Sequence, residues 1–352
     1  MRSRSGGRIP ALIAALVSAL LLASGCAGSG GQDTAAGDGP EKLEISYQGW
    51  ANQVTFPELA ADLGYLGDIK LNWVGNTISG PQDIQSAATG QVDFGGAFAG
   101  AVAKLITSGA PVTAVVNYYG SDDKTFGGYY VPADSPIRTA RDLIGKKIGV
   151  NTLGGQAEAV INAYLKQGGL TPDEIAQVQL VVLPPLNTEE SLRRGQLDVG
   201  ALSGVLQDHA LEVGGLRPLF TDSGLFGSFS GGQYVLRNDF IEENPRTTEI
   251  LVSGIARAIE WARTTPREEV IARFTAIIDK RGRNESTANL KYWKSTGIPS
   301  TVIADTDFTR WSDWLQYTGV PDVDVPKLYT NEFNPYRPGG PAAAGSPEVA
   351  AR

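Results

Sequence analysis

The 352-residue chain has one cysteine, one histidine and one methionine, the last at its start. A single cysteine excludes an internal disulfide. One histidine and one cysteine fall short of the paired Cys and His spacings that hold zinc. There is no Gly-rich loop ending in Lys-Ser or Lys-Thr and no Gly-x-Ser-x-Gly elbow, which excludes P-loop and α/β-hydrolase chemistry of the usual kind. Basic runs are missing as well, and the net charge is −8, so nucleic acid is a poor partner. His209 sits mid-helix beside Asp208, where a lone histidine is ordinarily a surface or packing residue.

What is present begins at the N-terminus. Arg2, Arg4 and Arg8 precede an apolar run from Ala11 to Ala23, too short to span a bilayer and laid out as a secretory signal. The lone Cys26 follows in "LLASGCAG". That stretch resembles a bacterial lipobox, which implies a signal peptide over 1–25, lipid on Cys26 and extracytoplasmic anchoring to the cell membrane. Residues 26–40 are poor in apolar bulk and read as a flexible tether. Residues 334–352 read as a loose tail.

Between these ends the chain repeats itself. Gly90–Gly95 is "GQVDFG" and Gly195–Gly200 is "GQLDVG". A short helix is expected before each. Ser79 or Gly80 opens the first, with Pro81 in its first turn. Asn187 opens the second, with Glu190 at the capping-box distance. A second helix is expected after each phrase, near 98–108 and 205–213. "GGYYV" at 127–131 is echoed by "GGQYVL" at 231–236, and "LEISYQG" at 43–49 by "KKIGVNT" at 146–152. A near-constant offset of about a hundred residues implies two lobes built to one plan. Asp93 and Asp198, at the same place in each phrase, are expected to tie down their own turns through backbone amides.

Short apolar runs at 43–47, 112–116, 147–150, 178–183 and 197–202 alternate with helical patterns. The fold class is therefore α/β, each lobe a mostly parallel sheet flanked by helices. Ligands in such sheets bind beyond the strands' carboxyl ends. From Asn244-Pro245 a helix begins with Ile250, Leu251, Gly254, Ile255, Ala258, Ile259 and Ala262 on one face. Trp261, Trp293, Trp311 and Trp314 are read as packing residues.

The order "ISYQGW", "SGPQDIQSAATGQVDFGG", "VPADSPIRTARDLIGKKIGV", "GGLTPDEIAQVQLVVLPP", "SLRRGQLDVGAL" and "YVLRNDFIEENP" resembles solute-binding proteins of bacterial ABC importers. It is most similar to the nitrate, sulfonate and taurine class. The resemblance implies a two-lobed periplasmic-binding-protein type 2 fold with the ligand cleft between lobes. Lobe 1 is expected at 41–125, lobe 2 at 126–220, and the return to lobe 1 with C-terminal helices at 221–333. It implies a small solute, a membrane permease with a cytoplasmic ATPase, a monomer, no cofactor, no metal and no catalysis. In place of the aromatic-containing segment expected in sulfonate members after the second phrase stands Leu202-Ser203-Gly204-Val205-Leu206, which leaves the solute open. Enzymes on this fold use cysteines or histidines that this chain does not supply. A carboxylate or tyrosine enzyme, and a solute-sensing adaptor lipoprotein, are the alternative readings.

The ligand is expected on the loops after the strands. In the first lobe these carry Gly49, Trp50, Asn52, Ser79, Gly80, Phe98, Ala99, Gly100, Tyr118 and Tyr119. In the second they carry Thr152, Gly154, Gly155, Gln156, Ser203 and Gly204. Helix-start amides hold oxyanions, and glycines allow close approach. The same loops carry no Arg or Lys. Together with Trp50, Phe98, Tyr118, Tyr119 and Phe229, this implies an organic anion, sulfonate-like or an aromatic or aliphatic acid, rather than a bare inorganic ion.

Overall fold

The computed structural model describes residues 39–320 and 322–342. The signal segment, Cys26, most of the tether and the tail from residue 343 lie outside the described residues.

The strands are β1 (Glu44–Gly49), β2 (Lys70–Asn76), β3 (Phe94–Phe98), β4 (Val112–Ser121), β5 (Gly127–Pro132), β6 (Lys147–Val150), β7 (Gln179–Val182), β8 (Val199–Ser203), β9 (Leu216–Thr221) and β10 (Phe229–Arg237). One sheet has the order β7-β6-β8-β5-β9. A matching set is made by the β1-β2 pair and the β3-β10-β4 sheet. These two stand side by side, because the Asp93 amide donates to the Ser46 carbonyl at 2.9 Å. The correspondence is strand for strand. β1 runs parallel to β2 as β6 does to β7. β10 is antiparallel between β3 and β4 as β5 is between β8 and β9. Each lobe thus holds one antiparallel strand, and in the first lobe that strand arrives from beyond the second. The chain crosses between lobes twice, at 121–127 and at 221–229.

The repeated phrases work identically in outline, though not on their own turns as expected. Asp93 accepts from the Ser46 amide at 2.7 Å and its hydroxyl at 2.9 Å. Asp198 accepts from the Lys147 amide at 2.8 Å. The carboxylates pin β1 beside β3 and β6 beside β8, at the place where "LEISYQG" and "KKIGVNT" correspond. Asp93 is buried and also holds Lys42 at 2.6 Å, whereas the Asp198 side chain is 37% exposed.

Local chemistry explains most helix starts. Ser79 caps the helix Gly80–Ala88, with proline in its first turn, and Gly90 takes a positive φ of 75° just beyond its end. The helix before "GQLDVG" spans Pro185–Arg193 and begins after Pro184, so Asn187 lies inside it and caps nothing. Consecutive prolines fix φ there and open the helix three residues earlier. The helix Pro245–Thr264 buries Leu251, Ile255, Ala258, Ile259 and Ala262 against the first sheet. Each fully buried Leu or Ile of this kind contributes about 1.5–3 kcal/mol.

The first residues of the tail are anchored rather than loose. Asn334 is completely buried and its Nδ2 donates to the Thr301 carbonyl at 2.9 Å. A buried amide satisfied in this way holds the chain in place despite its proline-rich, apolar-poor composition.

Candidate functional site

Where the two crossings meet stands Asp222, which the sequence reading passed over. It opens the short helix Asp222–Phe226 and is 2% exposed. Oδ1 accepts from Ser121 Oγ at 2.9 Å and from the Gly127 amide at 3.0 Å, and Oδ2 accepts from Gln156 Nε2 at 3.1 Å. One carboxylate therefore ties the end of β4, the start of β5 and the head of the helix Gln156–Gln167. Burial holds its pKa above the ordinary carboxylate value, and these donors offset only part of that rise.

Tyr119 lies at the same junction. A Cβ on Gly231 would come 2.9 Å from its ring and 2.7 Å from Gln156 Oε1, and one on Gly232 would come 2.2 Å from the ring. The pair of glycines in "GGQYVL" is thus required by the tyrosine and glutamine lying on them. Gly232 pairs with Phe98, the residue before the helix Ala99–Thr107, and Gly127 pairs with Ser203, the residue before the helix Gly204–Val213. Three helix starts, after β3, β6 and β8, therefore gather around one spot. None of the three has a side-chain cap. By contrast, hydroxyls of Thr55, Ser79, Thr171 and Thr221 cap their own helices. Helix starts without a capping side chain present first-turn amides and a partial positive charge. Gln156 Oε1 is buried there with no partner among the described residues.

The other expected ligand residues divide. Tyr118 stacks on Tyr234 at 4.0 Å and meets Tyr119 edge-on at 4.9 Å. Burial pushes both phenols up, so they remain neutral. Gly155 precedes the helix at Gln156, Gly154 gives its amide to Glu158 at 2.9 Å, and Thr152 bonds the Leu153 carbonyl. Ser203 and Gly204 are exposed, and Gly204 edges a crevice of about 40 Å³ beside Tyr292 and Lys294. Trp50 is half-buried and Gly49 is buried.

Several expected contacts are occupied by structure. The Phe98 ring turns into the core, 4.7 Å from Trp311 and 5.4 Å from Trp314, because the aromatic C-terminal helices pack there. Ala99 and Gly100 are buried, Gly100 beneath that same cluster. Ser79 is spent on its cap. Gly80 lets its helix approach β3, where a Cβ would lie 2.9 Å from Ala97 Cα. Asn52, at φ 61°, bonds Glu285 and the Ser286 amide, both at 2.8 Å. Phe229 is 2% exposed and packs on Trp311.

The loop after β1 carries no cation of its own, yet the fold brings two. Arg283 Nη2 donates to Tyr47 Oη at 3.0 Å, and its guanidinium covers Trp73 at 4.1 Å. Arg281 Nη1 reaches Glu58 at 3.1 Å, and Arg283 reaches the same carboxylate at 3.5 Å. Glu58 also accepts from Tyr47 at 2.6 Å, and Glu285 pairs with Arg281 at 3.4 Å, so two carboxylates balance the two guanidiniums. No local signal marks these arginines, which lie more than two hundred positions from their partners. His209 pairs with Glu189 at 2.8 Å, a surface role. Among the described residues no group of three His, Cys, Asp or Glu is placed to hold a metal.

The model of the family described as "NMT1/THI5 like" matches residues 58–269, more than half of the chain. Among solved structures, the chain is similar to the periplasmic aliphatic sulphonate binding protein SsuA from Escherichia coli. The two are 22% identical over 83% of this chain and 92% of that one, with a TM-score of 0.64. The periplasmic nitrate-binding protein NrtA from Synechocystis PCC 6803 is 14% identical over 84% and 88%, with a TM-score of 0.65. The desulfurization enzyme DSZB shares the fold more loosely, 16% identical over 83% and 97%, with a TM-score of 0.55. No curated protein matches the sequence. At these identities the structures establish a common two-lobed fold.

Proposed function

The chain belongs to the NMT1/THI5-like family, and from that premise we propose that it is the extracytoplasmic solute-binding component of an ABC importer. It captures a small organic anion, sulfonate-like or an aromatic or aliphatic acid, and delivers it to a membrane permease served by a cytoplasmic ATPase. Lipid on Cys26 holds it at the membrane.

The observation that carries the solute class is the meeting of three uncapped helix starts beside Tyr119. An acidic head there gains amide donors and partial positive charge from both lobes without a full counter-ion. The tyrosine ring offers a flat apolar surface to the rest of the solute. Asp222, whose oxygens are taken by Ser121, Gly127 and Gln156, braces the crossings rather than contacting solute. A solute held by the helix start after β3 on one side and by Gln156 on the other binds the closed arrangement better than an open one. It favours closure by that difference in affinity. Closure presents an altered surface to the permease.

Calorimetric titration with short alkanesulfonates, benzoate-type acids and nitrate tests this reading. An organic acid should bind, and Tyr119→Ala should weaken it by about tenfold or more, the loss of one ring contact worth ~1.4 kcal/mol. Tight binding of nitrate with no response to organic acids would refute the solute class.

A further inference from the structure

Apart from the meeting of the helix starts, a cavity of about 120 Å³ lies between the helix Gln156–Gln167 and the C-terminal segment of Arg310, Trp311 and the helix Ser312–Tyr317. We propose that this cavity is a second binding site, for a small oxyanion such as a short carboxylate or sulfate. Three N–H donors that line it have no partner among the described residues: Asn162 Nδ2, Arg310 Nε and Trp311 Nε1. Asn162 is 4% exposed and Trp311 is 2% exposed, so bulk water does not serve them. Buried donors left without acceptors are costly, and three sharing one small cavity call for one group rich in acceptors.

The charge agrees. Arg310 is half-buried, its guanidinium between the rings of Phe226 at 5.9 Å and Phe229 at 5.1 Å. The carboxylate that acts on it at longer range, Asp307, is held instead by Asn117 Nδ2 and the Ala304 amide, both at 3.0 Å. Asp313 also lines the cavity, but its side chain is 77% exposed and pairs with Lys166 at 3.1 Å on the rim. A planar guanidinium with an amide and an indole N–H suits the separated lone pairs of a carboxylate or sulfate. The volume is a little below the roughly 150 Å³ that accepts a benzene, ample for such an ion.

The walls belong to elements that meet across the lobes, because the C-terminal helices also carry the Trp311 and Trp314 rings that hold Phe98. An ion here would bind the helix headed by Gln156 to those rings. That consequence rests on the solute-binding reading, whereas the site itself does not.

The test titrates the whole protein with formate, acetate and sulfate at an ionic strength fixed with chloride. Thermal unfolding and tryptophan fluorescence are both read. The expected result is a rise of several degrees in Tm for at least one oxyanion beyond the chloride control. The response should weaken tenfold or more in Arg310→Met and in Asn162→Asp, and stay intact in Tyr119→Ala, whose ring does not line the cavity. No response beyond chloride, or a response surviving both cavity variants, would overturn the proposal. Crystals of the unmodified protein soaked in selenate decide the matter without any variant. Anomalous signal within hydrogen-bond reach of Asn162, Arg310 and Trp311 supports the site, and water alone there overturns it.

Discussion

Replacing Asp83 by asparagine should free the protein from a pH penalty built into its first lobe. Asp83 is 5% exposed. Its Oδ2 accepts from the Gly96 amide at 2.7 Å, while Oδ1 has no partner among the described residues. Burial dominates and raises its pKa from the ordinary 3.8 to about 7. Its place in the first turn of the helix Gly80–Ala88 favours the anion, but only by ~0.3–1 kcal/mol, too little to reverse the shift. Between pH 4 and 7 the folded protein therefore holds a proton that the unfolded chain has lost. The stabilisation from the neutral carboxyl is complete below the unfolded pKa and is lost as pH rises through the folded one. At 1.36 kcal/mol per unit, the difference across that window is about 4 kcal/mol. Asparagine keeps the acceptor for Gly96 and never ionises. Urea denaturation of both proteins from pH 4 to 8.5 should show the stability of Asp83→Asn rising relative to the parent by that amount, with the crossover before neutrality. A difference that stays flat within ~1 kcal/mol over the whole range would refute the reasoning.

Other substitutions probe the frame of the site. Asp222→Ala strips the acceptor from three neutral donors in a buried place, and denaturation should register a loss of at least about 1–3 kcal/mol, the cost of one buried donor left unsatisfied. Gly232→Ala forces a methyl against Tyr119 and the Ala97 carbonyl, which would lie 2.3 Å away. Overpacking of this kind costs ~1–3 kcal/mol or more, read as a fall in Tm. Asp93→Ala and Asp198→Ala remove the same residue from the two repeated phrases with unequal effect. The buried Asp93, with three donors, should cost several-fold more stability than the exposed Asp198, whose loss should stay near ~1 kcal/mol. Equal losses on denaturation would argue that burial does not set the difference.

The two-lobe plan was legible because it is carried by short-range chemistry repeated at a fixed offset. A short helix, a glycine stop and an aspartate before a strand recur around "GQVDFG" and "GQLDVG". The echo of "GGYYV" by "GGQYVL" falls on β5 and β10, the antiparallel strand of each sheet, a direction that the echo itself did not carry. What that echo did not tell was that β10 crosses back to complete the first sheet, since strand exchange is a matter of long-range pairing. β2, "KLNWVGN", escaped notice because it is polar and largely exposed. The helix starts at Ala99, Gln156 and Gly204 were legible to within a residue. Phe98 was misplaced because nothing local says that Trp311 and Trp314 come to claim its ring. Arg281, Arg283 and Asp222 were missed for the same reason. Their partners are distant in the chain, and a charge far from a loop gives no local sign that it will pack against that loop.

The most direct measurement is a thermal-shift comparison of the protein and its Tyr119→Ala variant against sulfonates, sulfate esters, aromatic and aliphatic carboxylates, pyrimidines, nitrate and bicarbonate. The expected result is an organic acid that raises Tm by several degrees at about 100 times its dissociation constant, where binding adds roughly 2.7 kcal/mol, with the shift largely lost in the variant. A hit that shifts both proteins equally, or an inorganic ion as the only hit, would contradict the capture of an organic anion at the meeting of the three helix starts.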